Sequence, residues 1–303
     1  MDLAAVDAWL RPIHENLSEK AQQIASLAAP YLDKAGPPGT FARDYAGIAA
    51  TGLTFWFVEL LVHALLVPVI VSVLRTSGGL EPKKAKGVAT QTVSRIIGSI
   101  HNTIQVPLGV MMLLDARFRS DRVHFHTPLS YAVCYISAGY FLHDLVFCII
   151  RYHLEGPFYL IHALVCHSAY SFGAISGYLH YHAAGFLMWE ISTPFVNLRW
   201  FMYKAGWAHV PLYLANGMAM IAVFFGCRIA WGFPESFTLA KDVLAQRFPG
   251  SPFPAAATAG YCAAAVIMCS LNSFWFYKML SAALAIFIKG KKSHEVHSRV
   301  KGE

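Results

Sequence analysis

Polar breaks divide this chain into seven mainly apolar stretches, at residues 51–74, 88–114, 129–150, 157–181, 186–203, 211–232 and 259–288. A hydrocarbon core of roughly 30 Å takes about 20 such residues in a helix, so each stretch approaches or exceeds the length of one crossing. The pattern predicts an all-α fold, a polytopic transmembrane helix bundle of about seven spans (roughly six to eight). The second and fifth stretches hold so many polar residues that hydropathy alone would pass over them. Gly78-Gly79 with Glu81-Pro82 mark the loop after the first span, and Pro249, Pro252 and Pro254 mark the loop before the last.

Composition points the same way. Of the 303 residues, 56% are apolar and 14% charged, with a mean hydropathy of +0.46, which fits neither an ordinary soluble domain nor a disordered chain. The net charge of +7 does not read as a nucleic-acid surface, because its densest run (Lys289, Lys291, Lys292, Arg299 and Lys301) directly follows a span. Juxtamembrane basic runs face cytosol and anionic lipid. A second run, Arg75, Lys83, Lys84 and Lys86, follows the first span. Seven spans put both runs on one side, favouring a cytosolic C-terminus; Arg117, Arg119 and Arg122 then fall opposite, partly offset by Asp115 and Asp121. The six cysteines lie within spans and form no CxxC pair, so they read as packing residues rather than disulfides or metal ligands.

The chain divides into an N-terminal extramembrane segment (1–46), a first span with its basic loop (47–86), a polytopic body (87–288) and a basic tail (289–303). In the first segment Trp9, Leu10, Ile13 and Leu17 recur at helical spacing, as in an amphipathic helix on the membrane or a solvated segment packed on a loop. No signal-peptide pattern opens the chain.

Ionisable groups inside a bilayer cost several kcal/mol unless paired or hydrated, so they are functional candidates by default. Ser137, Tyr140, Asp144, Cys148 and Arg151 form one stripe on the third span. On the fourth, His162, Ala169, Gly173 and Gly177 share a face, with Gly173-x-x-x-Gly177 a small-residue contact surface able to pair two copies of the chain. His167 lies about 140° away from His162 at roughly 100° per residue and belongs with Ala163. On the second span Arg95, Ser99 and Asn102 align beside a stripe of His101 and Gln105, and on the fifth Glu190, Pro194 and Asn197 align, with Arg199 near the membrane exit. For most of these the structural alternative is hydrogen bonding between helices, worth about 0.6–2 kcal/mol apiece. For Arg95 and Arg199 it is snorkelling to an interface. Asp144 and His162 are harder to assign to packing, since an imidazole oriented by a carboxylate can act as base or nucleophile.

From Gly139-Tyr140-Phe141 through Asp144, then His162, then the run Glu190-Ile191-Ser192-Thr193-Pro194-Phe195-Val196-Asn197-Leu198-Arg199-Trp200, the chain resembles the TLC-domain family, shared by ceramide synthases and translocating-chain-associating membrane proteins. The resemblance covers 87–288 and is closer to the small TLC-domain-containing proteins than to ceramide synthases. It implies residence in the endoplasmic reticulum and a bundle cavity for a lipid, either an acyl chain or a sphingoid-type molecule. It also implies catalytic roles for His162 and Asp144, and substrate contacts from His101, Asn102, Tyr140, Glu190, Asn197 and Arg199. Ceramide synthases join a fatty acyl group from acyl-CoA to a long-chain amine and carry a His-His pair. Here that pair reads His162-Ala163.

Two functions stay open on the sequence. One is a lipid-handling protein whose enzymatic form is an N-acyltransferase with acyl-CoA as co-substrate and no resident cofactor. The other is a non-catalytic membrane-composition or trafficking factor. A histidine-ligated di-iron oxidase fits poorly, because His162 and His167 are five apart and His180 and His182 two apart, not at the spacings of a convergent metal site.

Overall fold

The computed structural model describes residues 41–300. The amphipathic segment expected before residue 41, and the last three residues of the basic tail, lie outside them. Eleven α-helices are described: α1 (Phe41–Thr76), α2 (Pro82–Leu114), α3 (Ala116–Ser120), α4 (Pro128–Ile150), α5 (Tyr152–Glu155), α6 (Pro157–Ser176), α7 (His180–Leu187), α8 (Thr193–Lys204), α9 (Pro211–Phe224), α10 (Gly232–Ala245) and α11 (Ala255–Val300). A 3₁₀ turn, Met188–Ser192, joins α7 to α8, and a π-helical turn, Phe225–Ala230, joins α9 to α10.

Local chemistry fixes where these helices begin and end. Proline stands in the first turn of α2, α4, α6, α8 and α9, where its missing N–H costs nothing and its φ is already helical. Thr127 and Ser130 close a reciprocal capping box on α4. α6 stops at Gly177, whose φ of 77° is left-handed, a conformation that glycine adopts without the Cβ penalty of other residues. The Gly177 amide donates back to the Gly173 carbonyl.

Six helical stretches are long and apolar enough to cross a membrane: 44–76, Pro82–Leu114, Pro128–Ile150, Pro157–Ser176, Pro211–Ala245 and 255–285. The sixth expected span runs on through the π turn to Ala245, beyond the expected end at 232. The fifth expected span is not one helix but α7, the 3₁₀ turn and α8 in succession. It nevertheless runs antiparallel along all of α2. Ala205 packs with Ala85 and Val88, Asn197 meets Arg95, Glu190 meets Asn102, and Ala184 and Leu187 lie against Gly109. A segment matched from end to end to a spanning helix covers the same depth, so the broken element completes a polytopic bundle of seven crossings.

A close helix crossing of small residues lies elsewhere than expected. A Cβ on Gly139 of α4 would stand 2.5 Å from Thr51 Cβ and 2.9 Å from the Gly52 amide of α1, so these backbones touch as small-residue membrane interfaces do. The expected Gly173 and Gly177 pairing surface is instead taken up within the chain. Gly173 is buried against Cys134 and the Tyr178 carbonyl, and Gly177 caps α6 outside the helix, against Tyr131.

Replacing Gly139 by leucine should therefore force α1 off α4 and lower stability by about 1–3 kcal/mol. The same change at Gly260, where an added side chain meets nothing within 4 Å, should leave the thermal unfolding midpoint in detergent unchanged. Equal midpoints for the two variants would contradict this packing.

Candidate functional site

The predicted polar stripes converge on one internal cavity of about 300 Å³. α4 contributes Tyr140, Asp144 and Cys148 to its wall, the expected stripe. α6 contributes His162, the 3₁₀ turn Glu190, and α8 Thr193 and Asn197. α2 supplies Ser94 and Arg95, and α11 closes the side with Trp275 and Lys278. Glu155, at the end of the short α5, and the exposed Lys278 place the opening toward the end of the bundle that carries the α1–α2 and α8–α9 loops.

A second, smaller chamber of about 60 Å³ continues toward the opposite end. Its lining is apolar: Phe141, Val165, Leu239, Ala264, Ala265 and Met268 are typical. His162 and Glu190 line both chambers. Beyond it a gap of about 30 Å³ shares Ala169, Tyr170, Phe186 and Tyr261 with the second chamber and reaches Gly173 and Tyr178. Between His162 and Gly173 a helix rises roughly 16 Å, which sets the depth of the apolar part. The whole is a polar vestibule, a waist at His162 and Glu190, and an apolar passage.

Glu190 is held by converging partners. Asn102 donates to its Oε2 at 3.1 Å and Thr193 to the same oxygen at 2.7 Å. Arg228 approaches Oε1 at 3.4 Å. The 3₁₀ turn explains the Thr193 contact, because side chains three apart eclipse one another in that geometry. Arg228 sits on the π turn and spreads its guanidinium to Ser192 (3.0 Å), Thr193 (3.2 Å) and the fully buried Asn272 (3.2 Å). One cation thus ties the broken helix to α11. The stripe on α2 meets the stripe on α8 beside this pair: Asn197 donates to the Arg95 carbonyl and to Ser99, both at 3.3 Å.

Other expected site residues sit apart from the cavity. His101 is fully buried behind Tyr140, stacked on it at 4.1 Å between ring centres, and bonds Asn102 and Ser137. It and Asn102 support the wall and Glu190 but line neither chamber. Arg199 turns outward between α8 and α9, over the Tyr213 ring at 4.1 Å and toward the Tyr213 carbonyl. Asp144 and His162 share the vestibule, yet no hydrogen bond joins them among the described residues; His162 Nε2 instead faces Cys166 Sγ at 3.7 Å. The expected orienting contact from Asp144 to His162 is therefore not made. His167, as its phase predicts, turns the other way, to the Ala138 carbonyl and Tyr45.

Sequence reading passed over Arg228, which lies in the apolar run 211–232. A lone arginine in a span was the available signal. It weighed His143 and His182 only as metal ligands and missed their carboxylate partners: His143 bonds Glu59 of α1 at 2.5 Å, and His182 belongs to a cluster at the far end of the passage. There His182 lies between Glu235 (2.7 Å) and Asp242 (3.0 Å), and Asp242 takes two bonds from Arg122 at 2.6 and 2.7 Å. Hydrogen bonding to Asp242 raises the pKa of Arg122, which lies in the loop before α4.

A bundle of membrane-crossing helices around a polar vestibule that opens into an apolar passage defines a polytopic membrane protein with an internal cavity. Its family follows from comparison. The TLC-domain model matches residues 91–281, and the chain belongs to the TLC-domain family. It is 28% identical to an uncharacterized TLC domain-containing protein of Schizosaccharomyces pombe, covering 62% of this chain and 64% of that protein. It is 30% identical to the topoisomerase I damage affected protein 4 of Saccharomyces cerevisiae, over 63% and 67% of the two chains. It is likewise 30% identical to TLC domain-containing protein 4-B of Danio rerio, over 66% and 77%. The match thus spans just under two thirds of the fission-yeast relative's length.

Removing Arg228 should leave Glu190 buried without its cation. Arg228→Met alone is expected to cost about 3–5 kcal/mol, and adding Glu190→Gln should recover much of that loss. Thermal unfolding of the two variants measures it; a double variant no more stable than the single one would contradict the pairing.

Proposed function

We propose that this protein holds an acyl lipid inside the bundle, tail in the apolar passage and polar group in the vestibule, with the transferable acyl carbon or the bound amine at the waist. The observation that carries this is the double position of His162 and Glu190, which line both a polar and an apolar chamber. Apolar pockets with a few convergent polar groups are the usual form of a lipid or small-molecule site. In its enzymatic form the protein is an N-acyltransferase related to ceramide synthases. The amine of a long-chain base attacks the thioester carbonyl of an acyl-CoA, His162 takes the amine proton, and the thiol of coenzyme A leaves to give an amide. The basic loop residues Arg75, Lys83, Lys84 and Lys86 lie at the end where the vestibule opens. On this reading that end and the C-terminus face the cytosol of the endoplasmic reticulum.

One observation favours a second reading, a non-catalytic lipid-holding or trafficking factor. Ala163, at the place of the second histidine of ceramide synthases, is fully buried and outside the cavity wall, and Asp144 does not orient His162. The same pocket would then bind lipid without turning it over.

Two measurements test these readings. Filling the passage with Ala264→Trp should abolish the acyl lipid that co-purifies with the wild type, read by mass spectrometry of the extracted complex; undiminished lipid would remove the apolar chamber from the proposal. With acyl-CoA and a long-chain amine supplied, His162→Ala should lower turnover by about 10²–10⁴-fold, the usual contribution of a general base. Turnover indifferent to that change would take His162 out of the chemistry, and no turnover in the wild type would favour the non-catalytic reading.

A further inference from the structure

The vestibule carries charges that its own walls do not neutralise. Three cations, Arg95, Arg228 and Lys278, and three carboxylates, Asp144, Glu155 and Glu190, line it. Arg228 and Glu190 pair with each other at the inner end. Among the described residues, the other four make no ion pair. Arg95 is held by Trp200, whose ring its guanidinium faces at 4.2 Å, and by a long 3.4 Å bond to Asn197. Its Nε is buried without any hydrogen-bond partner. Asp144 stands across the cavity on α4 with no hydrogen bond among the described residues.

An unpaired guanidinium and an unpaired carboxylate at membrane depth are each costly, and both are stabilised by a partner of opposite sign. They belong to one cavity, on different helices, and do not satisfy one another. At the mouth the pattern repeats, with Lys278 and Glu155 also unpaired. Counted formally, the lining sums to zero, which matches a neutral molecule bearing one charge of each sign better than a polyanion or a simple cation.

We infer that the vestibule recognises a zwitterionic lipid head group that carries a phosphate and a protonated amine, the phosphate on Arg95 and the amine on Asp144. Arginine offers planar guanidinium donors that suit phosphate oxygens, and Arg95 lines the vestibule. The carboxylate of Asp144 accepts from the ammonium. This inference rests on the lipid-holding reading and names the class of head group that the site selects. It also places the amine of the lipid in the chamber that His162 lines from α6.

The test uses the full chain, purified in detergent and stripped of lipid. It is offered an equimolar mixture of a diacyl phosphatidylethanolamine, a phosphatidylglycerol with the same acyl chains, and a long-chain amine, and native mass spectrometry reads what is retained. The wild type should keep phosphatidylethanolamine over either singly charged lipid by about tenfold, the ratio that one added charge contact of modest strength gives. Asp144→Asn should turn the preference to phosphatidylglycerol, and Arg95→Gln should turn it to the long-chain amine. Asp144→Glu and Arg95→Lys keep the charges and should keep the wild-type preference, which separates lost charge from lost fold. Wild-type preference surviving in both neutral variants would overturn the inference, whereas displacement of the lipid by an equal concentration of free O-phosphoethanolamine would support head-group recognition and overturn the lipid-holding reading beneath it. Wild type that retains lipid without regard to head group sinks the inference alone. Wild type that retains no lipid sinks the lipid-holding reading beneath it.

Discussion

A carboxylate placed between helices in a bilayer needs its partners supplied by protein, and the interior of this molecule is arranged around that demand at Glu190. Three elements meet it: Asn102 from α2, Thr193 from the start of α8 and Arg228 from the π turn. Neither backbone irregularity is incidental. The 3₁₀ turn stacks Thr193 over Glu190, and π turns commonly appear where a helix must present a functional side chain out of its regular phase. Arg228 then reaches Ser192 and Asn272 as well. Polar bonds of this kind contribute modestly one at a time in membranes; joined through a single cation, they fix the relative placement of the broken segment, α9 and α11.

That fixed waist separates two environments. On one side Tyr140, Asp144, Arg95 and Asn197 make a polar vestibule; on the other Val165, Leu239, Ala264 and Met268 make an apolar passage. The separation follows from where each helix stops being polar along its inward face. On α6, His162 is followed inward by Cys166, Ala169 and Tyr170, so the same helix face changes solvent preference within about two turns. A molecule with one charged end and one hydrocarbon end matches this gradient without any rearrangement of the backbone.

Helical phase carried much of this from sequence. The stripe of Tyr140, Asp144 and Cys148 lines the cavity, His162 and His167 point apart, and Arg95, Ser99 and Asn102 face Asn197 and Glu190. Phase cannot report backbone breaks, however. The 3₁₀ turn at 188–192 and the π turn at 225–230 arise from tertiary demand, so Arg228 stayed hidden in an apolar run and the fifth span read as one helix. Phase also cannot rank depth. His101 shares a helix with the lining residues yet lies one layer behind Tyr140. Small-residue spacing misled for a related reason: Gly173-x-x-x-Gly177 looks like a pairing surface, whereas Gly177 is needed for a left-handed cap. The close contact of Gly52 with Gly139 joins helices distant in sequence and has no local signature.

The family match begins at residue 91, but the physical unit begins earlier. α1 is fastened to the rest by Gly52 against Gly139, by Glu59 to His143 and Ser94, and by Tyr45 to His167. Strip that helix away and three polar groups, Ser94, His143 and His167, together with a bare glycine backbone, would be turned toward hydrocarbon tails that can offer them no hydrogen bond. The homologous region and the region able to stand alone in a bilayer are thus different stretches of the chain. During synthesis the first helix would have to wait in the membrane, Glu59 matched first by Ser94 of α2 and by His143 only once α4 emerged.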